Sequence, residues 1–189
     1  MYQKYYTEAL VLGSRERGEA DRVFVLYTED FGLVYARASA VRKETSRMRY
    51  ALQHFSRARV ALVRGKHGWR LGGATIEEVS ESPEGIATFA RIARLVLRLV
   101  AGEERNEYLF AALAEAHGVL MKSGREAFAT IEIVCVARTL FALGYLSSEA
   151  LETAIFTHTA YTGELLSEAE TMRDKLLSSI NRAIAETHL

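Results

Sequence analysis

Arg22-Val23-Phe24-Val25-Leu26-Tyr27 and Leu33-Val34-Tyr35-Ala36-Arg37-Ala38 flank the short stretch Glu29-Asp30-Phe31-Gly32. The flanks are β-branched and aromatic, which suits a pleated, half-buried surface. Glu29 to Gly32 carry turn chemistry, with a glycine free to take positive φ. The stretch therefore reads as two strands joined by a tight turn, the first strand apolar on both faces. Toward the N-terminus, Ala9-Leu10-Val11-Leu12 begins a strand that runs on toward Arg15, and Arg17-Gly18-Glu19-Ala20-Asp21 turns it into the next. Toward the C-terminus, Val41 to Arg49 is a polar basic loop and Arg57 to Arg64 a fourth strand. Gly65-Lys66-His67-Gly68 is a hairpin turn, and Trp69-Arg70-Leu71 opens a fifth strand. Gly72-Gly73 marks a bulge or a barrel corner. Five short antiparallel strands in about 70 residues have the size and rhythm of a small closed barrel of OB-fold type.

At Pro83, the one proline of the chain, the texture changes to the period of helices. Ser82 is placed to cap, and Pro83 sits in a first turn, where its missing N–H costs nothing. Ile86, Phe89, Ala90, Ala93, Leu97 and Val100 recur at helical spacing until Gly102 ends the run. Tyr108 to Met121, Ala127 to Leu143 and Ser167 to Glu186 read as further helices, and Ser147-Ser148-Glu149 as the cap of a short one. The expected fold class is α+β in two domains. Residues 1–80 are expected to form a five-stranded OB-fold barrel that binds DNA, and residues 81–189 an acidic α-helical bundle that binds partners.

Charge divides at nearly the same place. Residues 1–73 hold 14 Lys/Arg against seven Asp/Glu, residues 74–189 hold 10 against 17, and the formal net charge of zero is two halves cancelling. A basic strand-rich half beside an acidic helical one suits a polyanion surface on the first. No apolar run approaches the roughly 20 residues that span a bilayer, and no apolar signal region opens the chain. A single cysteine, Cys135, excludes a disulfide framework within the chain and a multi-cysteine zinc site, and fits a reducing cytoplasm.

The cations cluster where a phosphate backbone needs them. Arg42, Lys43, Arg47 and Arg49 fill the loop, Arg37 precedes it and Arg57 follows. Several cations along one groove release counterions from a nucleic acid, and the arginine fork matches phosphate. Tyr35 and Tyr50 add surface on which bases stack, and Lys66 reaches out from the hairpin turn. The alternative is that these charges only solubilise a barrel. Gly18-Glu19-Ala20-Asp21-Arg22 reads as a structural turn, in which Asp21 bonds nearby backbone N–H groups. His54, His67, His117, His158 and His188 never fall at i, i+3 or i, i+4, so no metal is expected. Cys135 lies in an apolar run as a buried thiol. No nucleophile-elbow or P-loop motif appears, so neither an enzyme site nor a cofactor is expected.

The order of these segments resembles the N-terminal domain of the bacterial recombination mediator family RecO. The resemblance rests on Ala9-Leu10-Val11-Leu12, Gly18-Glu19-Ala20-Asp21-Arg22, Thr28-Glu29-Asp30-Phe31-Gly32-Leu33-Val34, Arg42 with Ser46, and Ala51-Leu52-Gln53-His54-Phe55. It covers residues 8–80 well and the helical half loosely, through Leu140-Phe141-Ala142-Leu143-Gly144-Tyr145. The chain departs from the family in lacking the four zinc cysteines. Ser39 and Ala40 stand where Lys and Gly are usual, and Tyr50 and His54 where Gly and Pro are usual. It is also shorter near Tyr145–Gly163 and at its C-terminal end.

The resemblance implies a DNA repair and recombination mediator that is not an enzyme and works in the bacterial cytoplasm at the nucleoid. Such a protein binds single- and double-stranded DNA and anneals complementary strands. With RecR it assists RecA loading on strands coated by single-strand-binding protein, so RecA is an indirect partner; no membrane is involved. The helical domain would receive the acidic C-terminal tail of single-strand-binding protein, with Arg138 as the cationic rim of an apolar pocket. Two other readings of Arg138 stand beside this one, a side chain that snorkels and one that pairs with Glu132. A protein–protein adaptor whose barrel has lost strong DNA binding is the alternative function.

Overall fold

A computed structural model describes residues 3–78, 82–147 and 153–187. They divide into two compact units. Among them, the first comprises residues 3–78 together with 101–107, and the second residues 82–100 with 108–147 and 153–187.

The first unit is a closed barrel of β1 (Lys4–Arg17), β2 (Asp21–Thr28), β3 (Gly32–Ala38), β4 (Arg57–Gly65) and β5 (Gly68–Glu78), in the order β1-β2-β3-β5-β4. This is the expected OB-fold barrel with one correction. The strands are not all antiparallel, because β3 and β5 pair in parallel through Ala36 with Trp69 and Arg37 with Arg70. Five is odd, and an odd ring cannot reverse direction at every junction, so one neighbouring pair has to run the same way. Cross-strand partners lead once around the barrel from Arg15 through Val23, Arg37, Arg70 and Val63 to Lys4. The circuit re-enters β1 eleven positions before Arg15. That stagger tilts the strands and leaves an interior just wide enough for side chains.

Period-two alternation fills that interior. Ala9 and Val11, Phe24 and Leu26, Val34 and Ala36, Val60 and Leu62, and Trp69 and Leu71 all belong to one buried cluster. Each buried Phe or Leu contributes about 1.5–3 kcal/mol relative to exposure. Three bulges bend the strands, one of them at Glu77, between Ile76 opposite Ala58 and Glu78 opposite Arg57. Leu12 is the extra residue between Val11 opposite Leu26 and Gly13 opposite Val25. Gly72 is the extra residue between Leu71 opposite Leu62 and Gly73 opposite Ala61, where the sequence placed a bulge. From the end of the basic loop, Met48–Ala51 forms a short helix, α1, that the sequence pattern does not predict.

Residues 101–107 lie with this barrel. Leu33 N–H donates to the Gly102 carbonyl at 3.3 Å, and Arg105 approaches Asp30 at 3.8 Å. Glu103 pairs with Arg64, whose guanidinium lies 4.7 Å from the Trp69 ring centroid. Gly32 has φ +63, and a Cβ there would overlap the Glu104 backbone.

The second unit holds α2 (Pro83–Leu99), α3 (Glu107–Lys122), α4 (Phe128–Ala142), α5 (Gly163–Thr171) and α6 (Arg173–Glu186). Ser82 Oγ accepts from Gly85 N–H at 3.0 Å with Pro83 in the first turn, as its sequence foretells. A Cβ on Gly85 would overlap the Leu120 carbonyl, so only glycine permits that approach of α2 to α3. The single helix expected over Ser167–Glu186 is instead two, broken at Met172 (φ −96, ψ 8). The apolar positions Leu165, Ala169, Met172, Leu176 and Ile180 keep helical spacing across the break, so periodicity does not report it. The short helix expected after Ser147 lies outside the described residues. Among the described residues no helix is long and apolar enough to cross a membrane.

Candidate nucleic-acid interface

Along β3, buried Val34, Ala36 and Ala38 alternate with exposed Tyr35 and Arg37, so the tyrosine and the arginine share the outer face. Arg37 Nε donates to Asp21 Oδ2 at 2.8 Å, and Ala40 N–H donates to Asp21 Oδ1 at 2.8 Å. The Ala40 amide first, and then the Arg37 guanidinium, hold the Asp21 carboxyl below its ordinary range. Asp21 therefore ties the start of β2 to the residues after β3, a longer reach than the local turn bond expected of it.

Arg37 and Lys66 meet in one concavity of about 420 Å³, with Arg17, His67, Trp69 and Arg70. Arg17 ends β1 at the first turn and Lys66 with His67 forms the β4–β5 turn, so three separate segments supply the cations. The sequence pattern alone does not single out Arg17 and Arg70. Arg70 joins Arg37 only through the parallel β3–β5 pairing, which has no local signal. Arg17 reads in the sequence as part of a turn.

Arg42 and Arg49 line a second concavity of about 260 Å³ with Arg22 and Glu16. Glu16 partly neutralises it, at 3.3 Å from Arg42 and 3.4 Å from Arg22, while Arg22 Nε is buried without a hydrogen-bond partner. Arg49 donates to the Tyr50 hydroxyl at 2.6 Å and lies 4.7 Å from the centroid of its ring. One face of Tyr50 is thus already occupied, while Tyr35 and Tyr50 are exposed to a similar extent, 55% and 58%. Lys43 and Arg47 are exposed, with no ion-pair partner among the described residues.

Two of the expected residues sit apart. Arg57 is held by Glu8 at 2.6 and 3.0 Å, within β4 and β1, and lines neither concavity. Arg138 is no surface rim. It is 0% exposed, and its guanidinium donates to the carbonyls of Ile155 (2.9 Å), Thr159 (2.7 Å) and Ala160 (3.2 Å) with the Tyr161 ring beneath it. Nor does it pair with Glu132, which takes Arg91. A fork of five donors satisfies several converging carbonyls, so burial of this cation is tolerated. Cys135 beside it is fully buried, and burial pushes its thiol up to about 12. Elsewhere in the helical unit, Ile133, Val136, Leu177 and Ile180 line an apolar groove of about 310 Å³ together with Glu132 and Arg173, which pair with Arg91 and Glu170.

A five-stranded closed barrel with cations at its first and fourth turns, followed by a helical unit, defines an α+β protein built on an OB-fold. Residues 1–78 match the family described as "Recombination protein O N terminal". Residues 1–78 thus carry the N-terminal domain that this family describes. It is 36% identical to the "DNA repair protein RecO" of Pelotomaculum thermopropionicum over 129 residues, 66% of this chain and 50% of that protein. It is 39% identical to the protein of that name from Myxococcus xanthus over 116 residues, 59% of this chain and 48% of that one. Over 62 residues it is 44% identical to that of Desulfitobacterium hafniense, 33% of this chain and 23% of that one. These alignments span about half the length of the relatives, or less.

Proposed function

We propose that this protein acts in DNA repair and recombination, and that its barrel binds the phosphate backbone of DNA strands. One observation carries the reading: Arg17, Arg37, Lys66 and Arg70 converge where the first turn, β3 and the β4–β5 turn meet. OB-folds take oligonucleotides on this part of the barrel. The relatives named for DNA repair support the same reading. Cations there lower the repulsion between strands, and stacking on Tyr35 tolerates every base, so pairing between two strands supplies sequence selection. Annealing needs nothing more of the barrel than this. The finer roles follow the family resemblance: work with RecR, and delivery of strands from single-strand-binding protein to RecA.

Titration of labelled single-stranded DNA at several salt concentrations tests the reading. With about four phosphate contacts, log affinity falls against log salt with a slope of about −3. Binding without salt dependence would end the proposal and leave the adaptor reading in its place.

A further inference from the structure

The concavity of about 260 Å³ differs in kind from the one lined by Arg37 and Lys66. Arg22, Arg42 and Arg49 share it with a carboxylate, Glu16, and with the buried apolar side chains of Phe24, Val41 and Leu52. A groove that only holds phosphates gains nothing from a carboxylate, which repels them. Nor do its ion pairs exhaust Glu16. Its oxygens lie 3.4 Å from Arg22 and 3.3 Å from Arg42, against 2.6 Å for Glu8 with Arg57. Tight charge-assisted bonds measure about 2.7–2.9 Å, so both oxygens keep lone pairs for another donor. The Glu16 side chain is 58% exposed, open to such a donor. Arg42 is tied to the β1–β2 turn as well: its backbone N–H donates to the Ala20 carbonyl at 3.1 Å and its Nη1 to that of Gly18 at 3.3 Å. The concavity thus lies beside a loop that OB-folds turn toward oligonucleotides.

What suits such a lining is flat, apolar on its faces, and carries donors and acceptors side by side on its edge. An unpaired nucleobase has that form. A carboxylate pairs best with two adjacent N–H donors. Guanine alone among the DNA bases offers them, at N1 and N2, and its O6 and N7 accept from arginine. Adenine and cytosine each bring one amino group beside an acceptor, and thymine a single N–H between two carbonyls. We propose that this concavity holds an unpaired guanine, with Glu16 accepting from N1–H and N2–H and a neighbouring arginine donating to O6. The source is a guanine within a strand or a free guanine nucleotide. In a strand, the site rests on the strand-binding reading of the barrel and adds a base preference to a surface otherwise indifferent to sequence.

The test uses the whole chain and fluorescence anisotropy. Labelled thymine strands carry thymine, adenine, cytosine, guanine or hypoxanthine at one central position. Guanine tightens binding about fivefold or more over thymine. Hypoxanthine, which lacks the N2 amino group, loses most of that gain. Glu16→Gln abolishes the preference, yet binds the all-thymine strand no more weakly than wild type, because a repelling charge has gone. That retained binding also shows that the variant folds. In a second arm, guanosine and thymidine 5′-monophosphates are titrated by NMR. A guanine preference among strands alone assigns the base in a strand, and one that extends to the mononucleotides assigns the free nucleotide. Equal affinity for guanine and thymine in both arms overturns the inference, and so does a preference that survives Glu16→Gln. Failure of the all-thymine strand to bind ends the strand-binding proposal alone, since the mononucleotides still decide this one.

Discussion

Asp21 holds Arg37 with one carboxylate oxygen and the Ala40 N–H with the other, each at 2.8 Å. Ala40 is one of two described non-glycine residues with positive φ, at +54. The bond from its amide helps keep an alanine in a conformation that L-residues rarely take. The same carboxylate fixes where the Arg37 fork lies beside the groove.

Asp21→Asn is expected to lower stability in a pH-dependent way. The folded-state pKa lies below the unfolded one. The stabilisation is therefore fully present above about pH 4 and is lost as pH falls through the folded value. In thermal melts the variant falls below wild type at neutral pH, and the gap narrows toward about pH 3. A gap that stays constant over that range would contradict the assignment.

Arg138→Met leaves the carbonyls of Ile155, Thr159 and Ala160 without their donor. The expected loss is about 2–4 kcal/mol by urea unfolding, because buried acceptors go unmet. Arg138→Lys recovers less than half of it, since an ammonium cannot reproduce the planar fork. Either variant unfolding like wild type would remove the structural role.

DNA binding is expected to separate groove cations from paired ones. Arg17→Ala with Lys66→Ala flattens the single-strand salt slope by about 1.4, corresponding to two lost phosphate contacts. All sequences weaken alike, because phosphate contacts carry no base code. Arg57→Ala changes the slope by less than about 0.3, as Glu8 already neutralises it. A larger effect from Arg57 than from the groove pair would place the strand elsewhere on the barrel.

Gly32→Ala is expected to cost about 2–3 kcal/mol, through positive φ and overlap with the Glu104 backbone. Gly13→Ala, with open space around its Cβ, stays within about 0.5 kcal/mol of wild type. Urea unfolding compares the two, and equal effects would refute the packing of residue 104 on the turn.

Cys135 should react with aromatic disulfides only as the protein unfolds. Burial raises its thiol to about 12, so the folded chain presents almost no thiolate near neutrality. Labelling rates followed through a urea series should track the unfolded fraction. Fast labelling in native buffer would show an accessible thiol.

The features legible in the sequence are those that neighbouring residues decide. Ser82 and Pro83 announced a helix start, Gly32 a turn and Gly72 a bulge, because capping and positive φ are local matters. What escaped depends on contacts between distant segments. Arg70 reaches Arg37 only through β3–β5 pairing, Arg57 finds Glu8 across the β1–β4 ladder, and Arg138 is buried because three carbonyls some twenty residues on converge upon it. The break at Met172 interrupts no apolar spacing and left no trace in the pattern. The candidate site was half visible, with Arg37 and Lys66 named and Arg17 and Arg70 missed.

Residues 101–107 belong to the barrel unit, yet α2 and α3 on either side of them belong to the other. The chain thus crosses from one unit to the other three times, so neither is a contiguous gene segment. A fragment cut at Pro83 amputates the acceptor for the Leu33 N–H and the partner of Arg64. Modular exchange of the barrel, in the laboratory or by recombination of genes, would have to carry that distant splint along or replace it.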